Sequence, residues 1–485
     1  MKNNSVSTEP SHLNKWNVVL IIFAISIAIC LFNYGIHIPF EFRLRGDAFG
    51  YMDIARQFAS FHDALSYVDL RSPGFPLFDY IFLYLDTNSS MLARMNHISL
   101  TLLIIHELTS LCICFVCIKL KLLKSSSIYL GFLFLILAAY PAMVMHTTTP
   151  LTDTFGMDLL LIGFSLFAWV IKRQALVPLI FLGLLSGVLL GYAILVRPAY
   201  WIGVVGFLAI YMFITGVNYF LSQRQDVRSS VIMGMMSILA LAAVTLPVMD
   251  HCKTKYHTIC LQQPATFDSL SSVSAGLSSA RTVWSYTGEG TPFYPESFLV
   301  KHFQHRCPIT SITGSLTTDN TNLVSCMYHA PHLTVIYFAK KITGLFDTFR
   351  LTPYTELLTP TWYIWLARAF SSIAFAGFWI LLWDGCKATY QLVIYRRPVS
   401  PLIAAIWIFC IIQVAVHSIL HVEERYAFPW LPFCIIAFLL KIKTILDDRY
   451  PAGSRKMWLI FITLSILGYF IQVLVWDSGL RYHIG

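Results

Sequence analysis

Long apolar runs alternate with short polar breaks along most of this chain. Runs near the length needed to cross a bilayer, about 20 residues, occur at roughly 16–38, 97–118, 127–146, 154–171, 176–195, 200–221, 230–249, 361–383, 402–420, 427–440 and 457–476. The pattern predicts an all-α polytopic membrane protein of about eleven transmembrane helices. The run at 427–440 is the shortest and the weakest of them. Two long polar segments, roughly 39–96 and 250–360, interrupt the series, and no internal repeat is visible. The first run has no small-residue cleavage site and reads as a retained span. Residues 1–15 are polar and read as a disordered cytoplasmic tail.

The chain has 485 residues, of which 57% are hydrophobic and 12% charged. Soluble domains carry about 25% charged residues, so composition agrees with the pattern. A formal charge of +9 raises the question of a nucleic-acid partner. The basic residues form no long run, however, and topology accounts for them better. Placing the N-terminus inside puts Lys119, Lys121, Lys124, Lys172, Arg173, Arg224, Arg228, Lys387, Arg396, Arg397, Lys441, Lys443, Arg449, Arg455 and Lys456 in cytoplasmic segments, as the positive-inside rule requires. The organisation that follows is an N-terminal transmembrane domain (16–249) with a long outer loop (39–96), a small mixed extracytoplasmic loop domain (250–360), and C-terminal transmembrane helices (361–485). Arg43, Arg45, Arg56 and Arg71 of the first outer segment run against the rule. Either they lie on lipid headgroups or they bind an anion.

Four of the eleven cysteines, Cys252, Cys260, Cys307 and Cys326, fall in the second outer segment. Four outward cysteines suggest two disulfides and an oxidising compartment. Proximity favours Cys252–Cys260 and Cys307–Cys326, although sequence does not fix connectivity. His251, His257, His302 and His305 lie nearby, but no Cys-x-x-Cys pair supports a zinc site, and no metal or cofactor is expected.

Charges close to a membrane are often functional, and several stand out. Asp47 follows the first span, and its spacing with Tyr51, Ile54 and Ala55 places them on one face of a short helix. As a structural residue, Asp47 caps that helix. As a functional one, it is a base. Arg71 opens Arg71-Ser72-Pro73-Gly74-Phe75-Pro76, a stiff turn able to fix an Arg at the surface, or a plain turn whose Arg snorkels. Asp153 closes Thr147-Thr148-Thr149-Pro150-Leu151-Thr152-Asp153 between two outward helix ends. Either it or Thr152 caps the next span, or Asp153 shares the work of base and substrate orienter with Asp47. Arg197 ends an apolar run before Pro198 and either snorkels or faces a polar cavity. The last cluster is His417, His421, Glu423, Glu424, Arg425 and Tyr426, before a Pro-marked span. Glu424 and Arg425 are adjacent and face one another poorly on a helix, which leaves Arg425 and Tyr426 as candidates to meet substrate.

The order of these elements is informative in itself. An outward Asp47 is followed by Arg71 to Pro76, Leu151 to Asp153, Val196 to Pro198, and Glu424 to Pro429. In this order and topology, from residue 16 to about 440, the chain resembles the GT-C class of integral membrane glycosyltransferases, in particular the bacterial branch related to aminoarabinose transferases and protein O-mannosyltransferases. The resemblance implies transfer of a sugar from a polyprenyl-phosphate donor on the non-cytoplasmic face, with inversion at the anomeric carbon. It implies Asp47 as general base, Asp153 as the second acidic motif, and Arg71, Arg197 and Arg425 as the cations that hold the leaving phosphate. Tyr51 and Tyr426 would shape the sugar pocket, and His421 and Glu424 would also meet substrate. Two departures matter. Ala48 stands where many relatives carry a second acid, and segment 250–360 has no family signature, which leaves the acceptor (a glycan, lipid or protein) open.

The expected partners are therefore the lipid-linked donor, the acceptor and membrane lipids, in a bacterial inner membrane with the site facing the periplasm. Two other classes compete: a lipid or solute transporter, and a non-catalytic subunit of an envelope assembly. A transporter commonly shows internal pseudo-symmetry and paired broken helices. A scaffold would tolerate the loss of Asp47.

Overall fold

The computed structural model describes residues 15–39, 43, 47–60, 63, 67, 71–85, 89–124, 127–149, 151–170, 176–222, 226–262, 285–286, 292–293, 331–347, 360–419, 424–447 and 451–477. Their helices, in chain order, are α1 (Lys15–Ile36), α2 (Asp47–Arg56), α3 (Gly74–Leu85), α4 (Met91–Lys119), α5 (Ile128–Ala138), α6 (Pro141–Thr147), α7 (Thr152–Val170) and α8 (Leu176–Val196). They continue with α9 (Trp201–Ser222), α10 (Asp226–Tyr256), α11 (Pro331–Phe346), α12 (Thr361–Tyr395), α13 (Pro401–Ile419), α14 (Leu431–Leu446) and α15 (Ala452–Asp477). The fold is that of an all-α polytopic membrane protein. Its one sheet among the described residues is a pair of two-residue strands, Ser285–Tyr286 and Pro292–Phe293.

Each apolar run coincides with helix, but the runs are not equivalent. Among the described residues, eight helices are long and apolar enough to cross a membrane, or nine spans if one bent helix pair counts as a span. That pair is α5 and α6, which meet at 46° where a single span at 127–146 was expected. The cause is Pro141, which has no N–H to give the Leu137 carbonyl four residues earlier. His106 Nε2 lies 3.2 Å from that carbonyl and satisfies it from α4. The other face of the same imidazole meets Asp158 of α7, with Nδ1 3.3 Å from Oδ1. The apolar run at 127–146 is therefore broken rather than one straight helix. Its freed carbonyl is met by a protein side chain, so the break is part of the packing. The expected span at 427–440 also shifts. Its first residue, Ala427, closes a 3-10 turn, Glu424–Ala427, and α14 starts only at Leu431 with Pro432 in its first turn, where proline is tolerated.

Close helix approach builds the core. On α8, Gly183, Gly187 and Gly191 recur every fourth residue and face α10; a methyl group at Gly187 would overlap the Ser237 carbonyl and the Ala240 side chain. Small residues at this spacing let membrane helices pack backbone to backbone. Ser237 Oγ completes the contact by donating to the Gly183 carbonyl at 3.1 Å. Because α8 and α10 run parallel, the C-terminal ends of both lie at one end of the bundle. Cys252 near the end of α10 is disulfide-bonded to Cys260, with Cα atoms 5.5 Å apart. Cys307 and Cys326 lie outside the described residues, as do His302 and His305. Toward the C-terminus, Arg368 of α12 donates through Nε and a terminal nitrogen to the two Asp347 oxygens at 3.1 and 3.3 Å. Tyr469 Oη of α15 donates to the same carboxylate at 3.1 Å.

Candidate active site

The turn before α3 is seated on the end of α8. Pro73 precedes the helix and Pro76 lies in its first turn, where backbone N–H groups have no intrahelical acceptor to lose. Gly74 is required by the fit, since a Cβ there would collide with the backbone of Leu195 and Val196. Ser72 Oγ donates to the Val196 carbonyl at 3.2 Å, and Tyr192 Oη donates to the Gly74 carbonyl at 2.8 Å. These contacts place Arg71 beside Tyr51, its guanidinium 5.5 Å from the ring centroid. Tyr51 in turn packs edge-on against Phe75 at 5.3 Å. Segments that are far apart in sequence, the Arg71 turn and the Val196-Arg197-Pro198 stretch, thus share one backbone contact.

Arg197 is extended (φ −143°, ψ 98°) and sits between α8 and the 3-10 turn Pro198–Tyr200. Pro198 ends α8 by removing the next donor, and the extended residue turns its side chain toward α7. There Asp153, fully buried in the first turn of α7, takes the guanidinium as an ion partner; Arg197 is 12% exposed. Tyr200 Oη donates to the Asp153 backbone carbonyl at 3.4 Å. The guanidinium also lies 4.6 Å from the Tyr426 ring centroid and 6.0 Å from that of Tyr200. Neither reading of Arg197 as a snorkelling residue nor of Asp153 as a simple helix cap describes this arrangement, because each group is the other's partner.

The structure thus gathers Asp153, Arg197 and Tyr426, and separately Arg71 and Tyr51, around the end of α8. Asp47 opens α2, the position its spacing predicts, and Tyr51 and Ala55 on the same helix are buried. The Asp47 side chain lies outside the described residues, as do the side chains of Glu424 and Arg425 and the whole of His421. Among the described residues, no three His, Cys, Asp or Glu side chains gather as a metal site.

The fold also gives definite partners to residues whose part the sequence leaves open or assigns otherwise. Tyr200 supports Asp153. His417 stacks on Tyr426 at 4.8 Å and 29°, and the spacing of Gln413 and His417 by four residues was the available signal. Arg43, one of the arginines of the first outer segment, meets neither headgroup nor anion. It is fully buried and donates to the carbonyls of Thr148 at 2.9 Å and Ile36 at 3.0 Å, to Asn96 Oδ1 at 3.0 Å and to Ser99 Oγ at 3.2 Å. It ties the ends of α1 and α6 to the start of α4. Burial lowers its pKa to about 10, which leaves it charged at neutral pH. Asp79 of α3 is fully buried with no hydrogen-bond partner for either oxygen among the described residues. Burial pushes its carboxyl well above the usual range, toward the neutral acid.

No family model and no curated protein matches the chain. Among solved structures, the oligosaccharyltransferase of Archaeoglobus fulgidus in its apo form is similar at TM-score 0.49 and 12% identity, over 96% of this chain and 56% of that one. The same enzyme tethered through a disulfide to an acceptor peptide containing the NVT sequon gives TM-score 0.48 and 13% identity, over 96% and 55%. The chain spans about half the length of these proteins. At this level of likeness no residue role carries over.

Proposed function

We propose that the protein is a membrane glycosyltransferase of the GT-C type, which transfers a sugar from a polyprenyl-phosphate donor to an acceptor hydroxyl on the non-cytoplasmic membrane face. The observation that carries this reading is the meeting of Arg197 with Asp153 and Tyr426 beside the Arg71 turn. These are four of the motifs whose order resembles that family, and a shared site is what a common reaction requires. Location supports the face: the Cys252–Cys260 disulfide lies at the same end of the bundle as Arg197, and disulfides persist in oxidising compartments. A bacterial inner membrane with a periplasmic site fits both.

In this reaction the acceptor oxygen attacks the anomeric carbon as the bond from that carbon to the phosphate oxygen breaks, and the electron pair leaves on the phosphate. Inversion follows from a single displacement. Asp47 takes the acceptor's proton. The leaving phosphate needs no proton when cations hold it, and Arg71, Arg197 and Arg425 serve that purpose. Asp153 acts through Arg197 by aiming its guanidinium. Tyr51 and Tyr426 border the sugar, and His421 and Glu424 contribute polar contacts to it. Segment 250–360 contacts the acceptor.

The test is transfer of label from a panel of radiolabelled polyprenyl-phosphate sugars by purified protein supplied with envelope extract as acceptor, comparing wild type with Asp47→Asn. Transfer that collapses in the folded variant supports the reading and its base. Equal transfer removes Asp47 from the chemistry, and no transfer by either protein overturns the enzyme reading.

A further inference from the structure

His417 closes a circuit that begins and ends at Arg197. It lies in the last turn of α13, buried, with its ring stacked on Tyr426 and, at 5.8 Å and 27°, on Trp430. His417 Nε2 is 3.2 Å from Gln413 Oε1 one turn earlier. Gln413 Nε2 reaches the Ala199 carbonyl at 3.5 Å. Ala199 belongs to the 3-10 turn that follows Arg197. The Ala199 carbonyl only accepts, so the Gln413 amide points its nitrogen there and its oxygen at the imidazole, and Nε2 of His417 carries a proton. From Arg197 the path therefore runs along the backbone to Ala199, through Gln413 to His417, by ring stacking to Tyr426, and by cation–π contact back to the Arg197 guanidinium.

We infer that His417 is a positioning residue for the Arg197 guanidinium, acting through Tyr426. A plain aromatic core would stack as well, but it would not be anchored to the turn that carries the cation. The anchor fixes where the imidazole sits relative to Ala199, the stack fixes Tyr426 against the imidazole, and Arg197 is held between Tyr426 and Asp153. A guanidinium held this way is aimed before charge develops on a leaving phosphate, when preorganised donors are most effective. The inference rests on the glycosyl-transfer reading for the identity of that anion, and on contacts in the fold for the rest.

The experiment compares wild type with His417→Ala, His417→Phe and Gln413→Leu in nanodiscs, by donor-dependent transfer kinetics and by cryo-electron microscopy. His417→Ala is expected to lower kcat by roughly 30-fold while changing KM for the donor less than about threefold, the signature of an interaction used mainly in the transition state. His417→Phe keeps the stack but loses the contact with Gln413, and is expected to lower kcat by only about fivefold, as loss of the anchor alone does. Gln413→Leu, which leaves every ring in place, is expected to lower kcat by about fivefold through small misplacement of the cation. In the His417→Ala map the Arg197 guanidinium moves off the Tyr426 ring. Wild-type kcat in folded His417→Ala or Gln413→Leu, a Phe variant no better than Ala, or an unmoved guanidinium each overturns the inference. If wild type transfers no sugar, the enzyme reading fails, and the position of Arg197 in the two maps alone decides the role of His417.

Discussion

Asp153 of α7 and Arg197 at the end of α8 are ion partners in a place where the carboxylate has no exposure to solvent and the guanidinium has little. Removing one member of such a pair leaves a buried charge uncompensated, at a cost of about 3–5 kcal/mol. Asp153→Asn is therefore expected to lower thermal stability by that order. The double variant Asp153→Asn with Arg197→Gln is expected to be more stable than Asp153→Asn alone, because the orphaned cation is gone. Thermal melts of wild type, Asp153→Asn, Arg197→Gln and the double variant in one detergent form the double-mutant cycle; additive losses would rule out the coupling.

Gly74 is the position where the Arg71 turn touches the α8 backbone. Gly74→Ala pushes the turn away from Val196 while leaving the spans intact. A displacement near 1 Å can cost about 100-fold in rate, and a loss of that order in sugar transfer is expected with a melting temperature close to wild type. Wild-type transfer by this variant would show that the turn's seat on α8 is not needed.

Arg43 uses its planar fork on four separate acceptors. Lysine keeps the charge but not the geometry. Hydrogen bonds to charged groups are each worth about 1.5–3 kcal/mol, so Arg43→Lys is expected to destabilise by at least about 2 kcal/mol. The check is denaturation of the purified protein, and an unchanged midpoint would contradict the stapling role.

Asp79 gives a pH dependence whose sign can be worked out. Its folded pKa lies above the unfolded value, which for a free Asp is about 3.9. From that pH upward the folded state therefore binds more protons than the unfolded one, and stability falls as pH rises toward the folded pKa. Asp79→Asn removes the titration. The variant is expected to match wild type near pH 4, to exceed it at neutral pH, and to show a flatter melting profile between. A variant less stable than wild type at pH 7 would mean that the carboxylate has a partner worth keeping.

The disulfide offers a check on sidedness. Peptide mapping without reduction is expected to recover Cys252 linked to Cys260, and a membrane-impermeant reductant added from the non-cytoplasmic side is expected to open the bond. Opening only from the cytoplasmic side would reverse the orientation assigned to the whole site.

The membrane class and the position of nearly every long helix are legible in the chain, because a bilayer imposes a length and an apolarity that can be read residue by residue. The sequence also showed that Asp47 would open a short helix, that Cys252 has a near neighbour in Cys260, and which short motifs deserved attention. It did not reveal the break at Pro141, since apolar composition continues across the kink and the compensating donor, His106, comes from another helix. Which charges meet is set by helix packing. Whether Arg197 snorkels or pairs with Asp153 depends on how α7 and α8 pack. The unexpected burial of Arg43 likewise depends on three helix ends converging, and local spacing carries no record of such distances. The close approach along Gly183, Gly187 and Gly191 connects the two levels: its spacing is visible in the chain, and its partner, α10, is fixed only by the fold.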